Sequence, residues 1–439
     1  MPDVLLVYPP MKEVEIADHL GLPYIAAYLR EKGMSVQIID TKIEGWSPKQ
    51  AIEEISKMPT KVIGITLPFQ IYALEVLNFI SALREKTTAH ISVGGIFPTF
   101  AYREILERYP CIDSVVLGEG EVTFYDLAKS ILENKNWKEI HGIAYRESEG
   151  IQNTPFRPLV KDLNGLPFPA RDNLPRIYEK TKVASVISSR GCYASCSFCS
   201  VVPFYEKFGP RIRLRDPENV VDELEMLVKE YKVENVIFCD ANFTVSKERA
   251  AKIATEIIRR KLKLRYAIES RVTEVDEKLF KLLKESGLRR VFLGLESGSQ
   301  SMLNRFRKDV TVEQNLRALE ILSKLDLYVS PGFIMFDDRT SLEELQENVR
   351  FLRTIRQITG KKIRPVDITT KLLPLSGTEF ERYLKEKGKY RGDVFSFNYK
   401  IEDPSVRFIY YFLKFFGTII SYLKKLFPGE DWDKKWLKS

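Results

Sequence analysis

Short apolar runs alternate with amphipathic stretches over the first 135 residues. Residues 4–7, 36–39, 62–66, 91–93 and 114–117 read as buried strands. Apolar positions recur at helical spacing over 20–31, 49–57, 71–84, 102–108 and 122–133. This alternation predicts an α/β fold: a doubly wound parallel sheet of Rossmann-like type. Ligands of such sheets sit beyond the carboxyl ends of the strands. Those ends carry Pro9-Pro10, Thr66-Leu67-Pro68, Gly94-Gly95-Ile96-Phe97-Pro98-Thr99 and Gly118-Glu119-Gly120-Glu121.

The rhythm breaks after residue 136. A hairpin is expected around 143–151, followed by Pro155, Pro158, Pro167, Pro169 and Pro175, a density that opposes helix and suits an extended connector. Residues 1–136 therefore read as a first domain and 137–182 as hairpin and linker. A second series begins at 183, with strands at 183–188, 235–239, 265–269, 290–295, 328–335 and 366–372. Its helices fall at 219–231, 247–260, 277–286, 312–325, 342–358 and 378–387. Six strand–helix units fall short of the eight of a closed barrel and predict a partial (βα)6 barrel over 183–377. Residues 378–439 follow as a C-terminal helical extension. Within it, 405–427 reads as an apolar helix whose Arg407, Lys414, Thr418, Ser421 and Lys425 form one narrow stripe. Two readings stand: a peripheral helix lying in a bilayer interface, which would suit a lipid substrate, or one packed across the barrel or into a dimer.

Composition narrows the class. The net charge of +8 is spread along the chain rather than blocked, so no nucleic-acid partner is expected. The start, MPDVLLVYPP, has no basic region or cleavage site, and no uncharged apolar stretch reaches spanning length. The expectation is a cytoplasmic chain, with membrane association only at a surface.

Three of the five cysteines, Cys192, Cys196 and Cys199, fall within eight residues, directly after a predicted strand. That spacing suits a metal site rather than a disulfide. Three thiolates in one loop hold three irons of a cubane and leave the fourth open to a substrate. The alternative is a zinc knuckle, which needs a fourth ligand, and the nearest in sequence is Cys239. Cys111 and Cys239 read as buried free thiols, and Arg211, Arg213 and Arg215 as a solvated strand or loop edge.

The C-x3-C-x-Φ-C loop, with Phe198 before the last cysteine, resembles the signature of the radical S-adenosylmethionine (SAM) superfamily. The resemblance implies a [4Fe–4S] cluster on the three cysteines, with SAM chelated on the open iron and cleaved to a 5′-deoxyadenosyl radical. It implies further SAM contacts at successive strand ends. These are Asp240 and Asn242 in a "DDNFT"-like segment, Ser270 and Arg271 after the third strand, Glu296 and Ser297 in a "GIESGS"-like segment, and Met335 and Leu373 beside the adenine. It also implies an external electron donor such as flavodoxin or ferredoxin.

The first domain resembles the cobalamin (B12)-binding domains fused to radical SAM cores. That likeness rests on residues 7–10, 20–29, 94–99 and 117–121, and it implies cofactor contacts at Leu20, Gly21, Thr66, Leu67, Gly94, Gly95, Phe97, Pro98, Thr99, Gly118, Glu119, Gly120 and Glu121. It implies a nucleotide tail threaded between glycine-rich strand ends. The D-x-H-x-x-G motif that gives cobalt a histidine elsewhere is absent; Asp18-His19-Leu20-Gly21 has the residue types without the spacing. A scaffold domain that binds nothing is the alternative. Three functions stay open: cobalamin-dependent methylation of an unactivated carbon; radical cyclisation, coupling or rearrangement without methyl transfer; and a non-catalytic iron–sulfur or cobalamin sensor. The substrate is a small molecule, lipid or peptide.

Overall fold

A computed structural model describes residues 2–12, 15–426 and 435–437. The first sheet contains β1 (Val4–Tyr8), β2 (Val36–Asp40), β3 (Val62–Thr66), β4 (His90–Gly94) and β5 (Ser114–Val116). These run parallel in the order β2-β1-β3-β4-β5, so the chain reverses direction across the sheet between β1 and β3. Its strands are almost wholly buried, as expected of a sheet covered by helices on both sides. Helices Gly21–Glu31 and Gly120–Leu132 cover one face; Pro48–Ser56, Ala73–Arg84 and Ile96–Arg108 cover the other.

The expected hairpin forms as β6 (Ile143–Glu147) and β7 (Gly150–Asn153). It pairs antiparallel with β5, and the first sheet thereby grows to seven strands. The proline-rich connector holds a helix that its composition concealed, Leu174–Thr181. Pro175 lies in its first turn, where the missing N–H has no partner to lose.

The second sheet is parallel throughout, in the order β14-β13-β12-β11-β8: β8 (Ala184–Val186), β11 (Asn235–Phe238), β12 (Arg265–Arg271), β13 (Leu288–Glu296) and β14 (Tyr328–Phe333). Between β8 and β11 a short antiparallel pair, β9 (Ser189–Gly191) and β10 (Ile212–Leu214), flanks the cysteine loop. The sixth expected strand is reduced to isolated parallel bridges, Val329 to Ile363 and Phe336 to Lys371. Pro365 and Pro374 bound that segment, and proline lacks the N–H a ladder needs. One continuous apolar core joins this sheet to its outer helices. The last helix, Pro404–Leu426, packs onto that core through Val406 and Tyr410. Thr418, Ser421 and Lys425 of the predicted stripe belong to side chains outside the description, and Phe427 lies outside the described residues.

Candidate active site

The cysteine loop begins where β9 ends. Cys192 donates its backbone N–H to the Arg211 carbonyl, which ties the loop to the strand beside it. Ser197 N donates to Phe306 O at 3.0 Å, and Phe380 N to Ser197 O at 2.9 Å. Phe198 turns into that packing, edge-on to Phe306. Cys192 and Cys196 fall in one small cluster with Ala194 and Val202.

Burial, together with the neighbouring Cys196 and Cys192, pushes the Cys199 thiol up to about 11; burial raises Cys192 as well. Three thiolates crowded in this way need cationic partners to exist together. The loop supplies donors to two sulfurs, Ala194 N–H to Cys192 and Val201 N–H to Cys199, and the end of β12 supplies a third, Arg271 Nη1 to Cys196 Sγ at 3.4 Å. Among the described residues no three Cys, His, Asp or Glu side chains converge on a point where one metal ion would sit. Three thiols in one loop, each with a donor beside its sulfur, are the ligand set that would hold three irons of a cubane.

Around Arg271 lies a polar cluster that sequence reasoning only half anticipated. Its centre is Glu274, which accepts from Tyr193 Oη (2.6 Å), Asn242 Nδ2 (2.9 Å) and Thr244 Oγ1 (2.7 Å). Thr244 also meets Ser270 Oγ at 2.7 Å. Nothing in the sequence marked Glu274, which falls between the expected strand 265–269 and helix 277–286 and closes the short turn Val272–Glu274. Glu296 ends β13 with left-handed backbone (φ 62°) and pairs with buried Lys308 at 2.8 Å, which gives Lys308 its role.

Other expected residues point elsewhere. Asp240 is consumed by Ser188 N (2.6 Å), Ser188 Oγ and Ser189 Oγ (2.8 Å). Ser297 turns outward to Asn348 at 2.8 Å. Met335 is buried in the barrel core, and Leu373 stands exposed. Glu269 lies on the same side of β12 as Arg271, two residues away. Burial, reinforced by Asp240 and Glu296 against the pull of Arg290, pushes its carboxyl up to about 7.

Between the two sheets lies a cavity of about 370 Å³. Its first wall is the carboxyl edge of the N-terminal sheet with Gly21, Gly64, Thr66, Gly94, Gly95, Gly118 and Gly120. Its second is Ser189, Arg190, Gly191, Val201, Phe204, Tyr205, Cys239 and Ala241 from the barrel. The cysteine loop is thus framed by cavity-lining residues on both sides. Gly95 (φ 129°) and Gly118 (φ 83°) hold conformations closed to other residues, and a Cβ on Gly95 would stand 3.0 Å from the Leu67 carbonyl oxygen. The cavity reaches in beside Leu6, Ile65 and Phe124, where its lining is apolar and glycine-rich.

Leu20, Leu67, Phe97, Pro98 and Thr99 lie outside this lining. Thr99 Oγ1 accepts from Gly118 N at 3.1 Å and shapes the turn. His19 is also outside it, its ring between those of Tyr8 and Phe69. Cys239 is not the buried thiol expected but faces the cavity; Cys111 is half-buried, 3.4 Å from Ser81 Oγ.

Glu119 and Glu121 line the cavity, but arginines already engage their carboxylates. Arg190 reaches both, at 2.7 and 2.6 Å, and Arg213 grips Glu119 at 2.7 Å. Burial alone would raise Glu119; the two arginines outweigh it and hold the carboxyl below its ordinary value. Deeper in the same interface Arg171 bridges Asp18 (2.7 Å) and Glu223 (2.6 Å). Arg213 and Arg215 are therefore buried ion-pair partners rather than a solvated edge, and only Arg211 is exposed to solvent beside Glu206. The sequence hint was their spacing of two on a strand that must turn one face inward.

The Radical SAM superfamily profile matches residues 186–352, and the B12 binding domain profile matches residues 15–128. The chain is 32% identical over 364 residues to the uncharacterized methyltransferase PH0819 of Pyrococcus horikoshii, covering 80% of this chain and 78% of that one. It is 31% identical over 343 residues to the anaerobic magnesium-protoporphyrin IX monomethyl ester cyclase of Rubrivivax gelatinosus, of which it spans 61%, with 75% of this chain covered. The fold matches the structure of the cobalamin-dependent SAM radical enzyme OxsB with aqua-cobalamin and SAM bound, with a TM-score of 0.81 and 22% identity, over 100% of this chain and 70% of that one. The chain belongs to the radical SAM superfamily, among the enzymes that carry a B12-binding domain and use a [4Fe–4S] cluster, SAM and cobalamin.

Proposed function

We propose that this enzyme transfers a methyl group to an unactivated carbon. The observation that supports this most is the cavity between the glycine-rich sheet edge and the barrel, lined by Gly191 and Val201, which flank the cysteine loop in the chain. When bound, the cluster with SAM supplies a carbon-centred radical, and cobalamin supplies the methyl group. The protein's own work is placement. Cys192, Cys196 and Cys199 hold the cluster, and Arg271 steadies Cys196. Asn242 and Ser270, braced by Glu274, with Glu296 braced by Lys308, form the polar wall for SAM. Gly21, Thr66, Gly94, Gly95, Gly118 and Gly120 admit the cobalamin tail, and the two apolar walls exclude water between the reacting groups. We assign cobalamin to residues 1–136 with the 137–182 hairpin and linker beside them, the barrel to 183–377 and a helical extension to 378–439. The electron donor is flavodoxin or ferredoxin in the cytoplasm, and the substrate is a small molecule, lipid or peptide.

Anaerobic purification with iron, sulfide and hydroxocobalamin tests the reading. We expect about four irons per chain, the visible bands of cobalamin, and, after reduction, both S-adenosylhomocysteine and 5′-deoxyadenosine from SAM. A second reading, radical cyclisation without methyl transfer, draws support from the similar identity to the Rubrivivax cyclase. It predicts 5′-deoxyadenosine alone.

A further inference from the structure

Over residues 404–417 the last helix is docked along one side. Val406 and Tyr410 are buried on the barrel, Ile409 and Leu413 pack beside them, and Tyr410 meets Phe336 edge-on at 5.1 Å. At 100° per residue the opposite arc carries Tyr411, Phe415, Phe408, Phe412 and Phe416, in that angular order. All five are exposed, Phe408 to 70% and Phe415 to 64%. Their rings touch in series: Phe408 to Phe412 at 6.2 Å, Phe412 to Phe416 at 4.5 Å and Phe415 to Phe416 at 5.6 Å. This is a contiguous apolar face rather than scattered exposure, and water is a poor solvent for it.

Cations border the face. Arg407 and Lys414 lie between the docked side and the aromatic arc. Lys371 reaches the same border from the barrel rim, with its ammonium 5.5 Å from the Tyr410 ring centre. Its hydrogen bonds go to Asn398 Oδ1 and Tyr399 O, and among the described residues no carboxylate pairs with it. Burial and the like charge of Lys414 hold its pKa down to about 8. Lys414 faces the same Tyr410 ring, its ammonium 5.9 Å from the ring centre, so positive charge gathers at this border. Over 405–439 basic residues outnumber acidic ones seven to three. No helix among the described residues is long and apolar enough to cross a membrane.

We propose that this aromatic face docks the enzyme onto an anionic lipid bilayer. The helix lies in the plane of the interface, with its rings at the acyl boundary and Lys371 and Lys414 at the lipid phosphates. The docking is independent of the radical chemistry and needs no cofactor.

Full-length protein is floated with vesicles of phosphatidylcholine, with and without phosphatidylglycerol. Wild type is expected to float with the phosphatidylglycerol vesicles. The triple variant Phe408→Ser, Phe412→Ser, Phe415→Ser, with thermal unfolding unchanged because these rings are exposed, should lose partitioning by about tenfold or more. Lys414→Gln should weaken binding to the anionic vesicles alone, and added salt should do the same. Wild type that does not float overturns the proposal, as does a triple variant that floats equally well. Light scattering that shows a dimer without lipid, converted to monomer by the triple variant, also overturns it and assigns the face to a second copy of the chain.

Discussion

At the scale of single residues, the cysteine loop separates assembly of the cluster from its tuning. Cys196→Ser removes a ligand, so reconstituted protein should lose most of its iron and its broad visible absorption, measured by iron assay and optical spectroscopy. Arg271→Gln removes a charge and a donor from the Cys196 sulfur but no ligand. Iron content should stay near that of wild type while the midpoint potential moves to more negative values, read by a redox titration followed by EPR. The reduced cluster carries the extra negative charge and loses the more when a cation leaves. The sequence placed the three cysteines and Arg271 at neighbouring strand ends, and the structure brings Arg271 to Cys196 as that placement leads one to expect. Asp240 and Ser297, expected at the same site, bond instead to serines and to Asn348, because where a strand-end side chain points depends on local backbone. The left-handed turn at Glu296 comes just before Ser297, which faces Asn348, and Asp240 answers serines fifty residues earlier in the chain.

At the scale of elements, strand β12 carries a carboxylate in the wrong electrostatic place. Burial and the negative charges near Glu269 raise its folded pKa to about 7, against an ordinary value of 4.5. The folded state therefore binds this proton more tightly than the unfolded chain does. The stability cost of ionising it is absent below the unfolded value, grows as pH rises through the interval, and is complete above about pH 7. Glu269→Gln should raise the stability at pH 8 by roughly 2 kcal/mol and change little near pH 4, as read from urea unfolding at the two values. Gly95→Ala tests the turn between β4 and its helix. The alanine must adopt a φ that L residues avoid and press on the Leu67 carbonyl, at a cost of about 1–3 kcal/mol. Retention of hydroxocobalamin on gel filtration should fall with it. Strands buried on both faces were easy to read, since their apolar runs have one interpretation. The helix Leu174–Thr181 was hidden by the proline in its first turn, whereas the sixth barrel strand was expected and forms no ladder: between Pro365 and Pro374 the chain makes only an isolated bridge at Lys371.

At the scale of the whole molecule, ion pairs buried between the two sheets hold the halves together, and their partners could not be read from the sequence, because pairing across 52 to 153 residues leaves no local pattern. Arg171→Met should cost about 3–5 kcal/mol in denaturant unfolding, since Asp18 loses its cation inside the protein and Glu223 one of two. Adding Asp18→Asn should recover part of that loss. The second such contact sits at a telling address: Arg190, whose guanidinium holds Glu119 and Glu121, is only two residues from the first cysteine. The grip on the cobalamin side and the root of the cluster loop are therefore mechanically one object. A chain loosened at that guanidinium should drop both prosthetic groups in step, and a preparation filled with one should take up the other more readily.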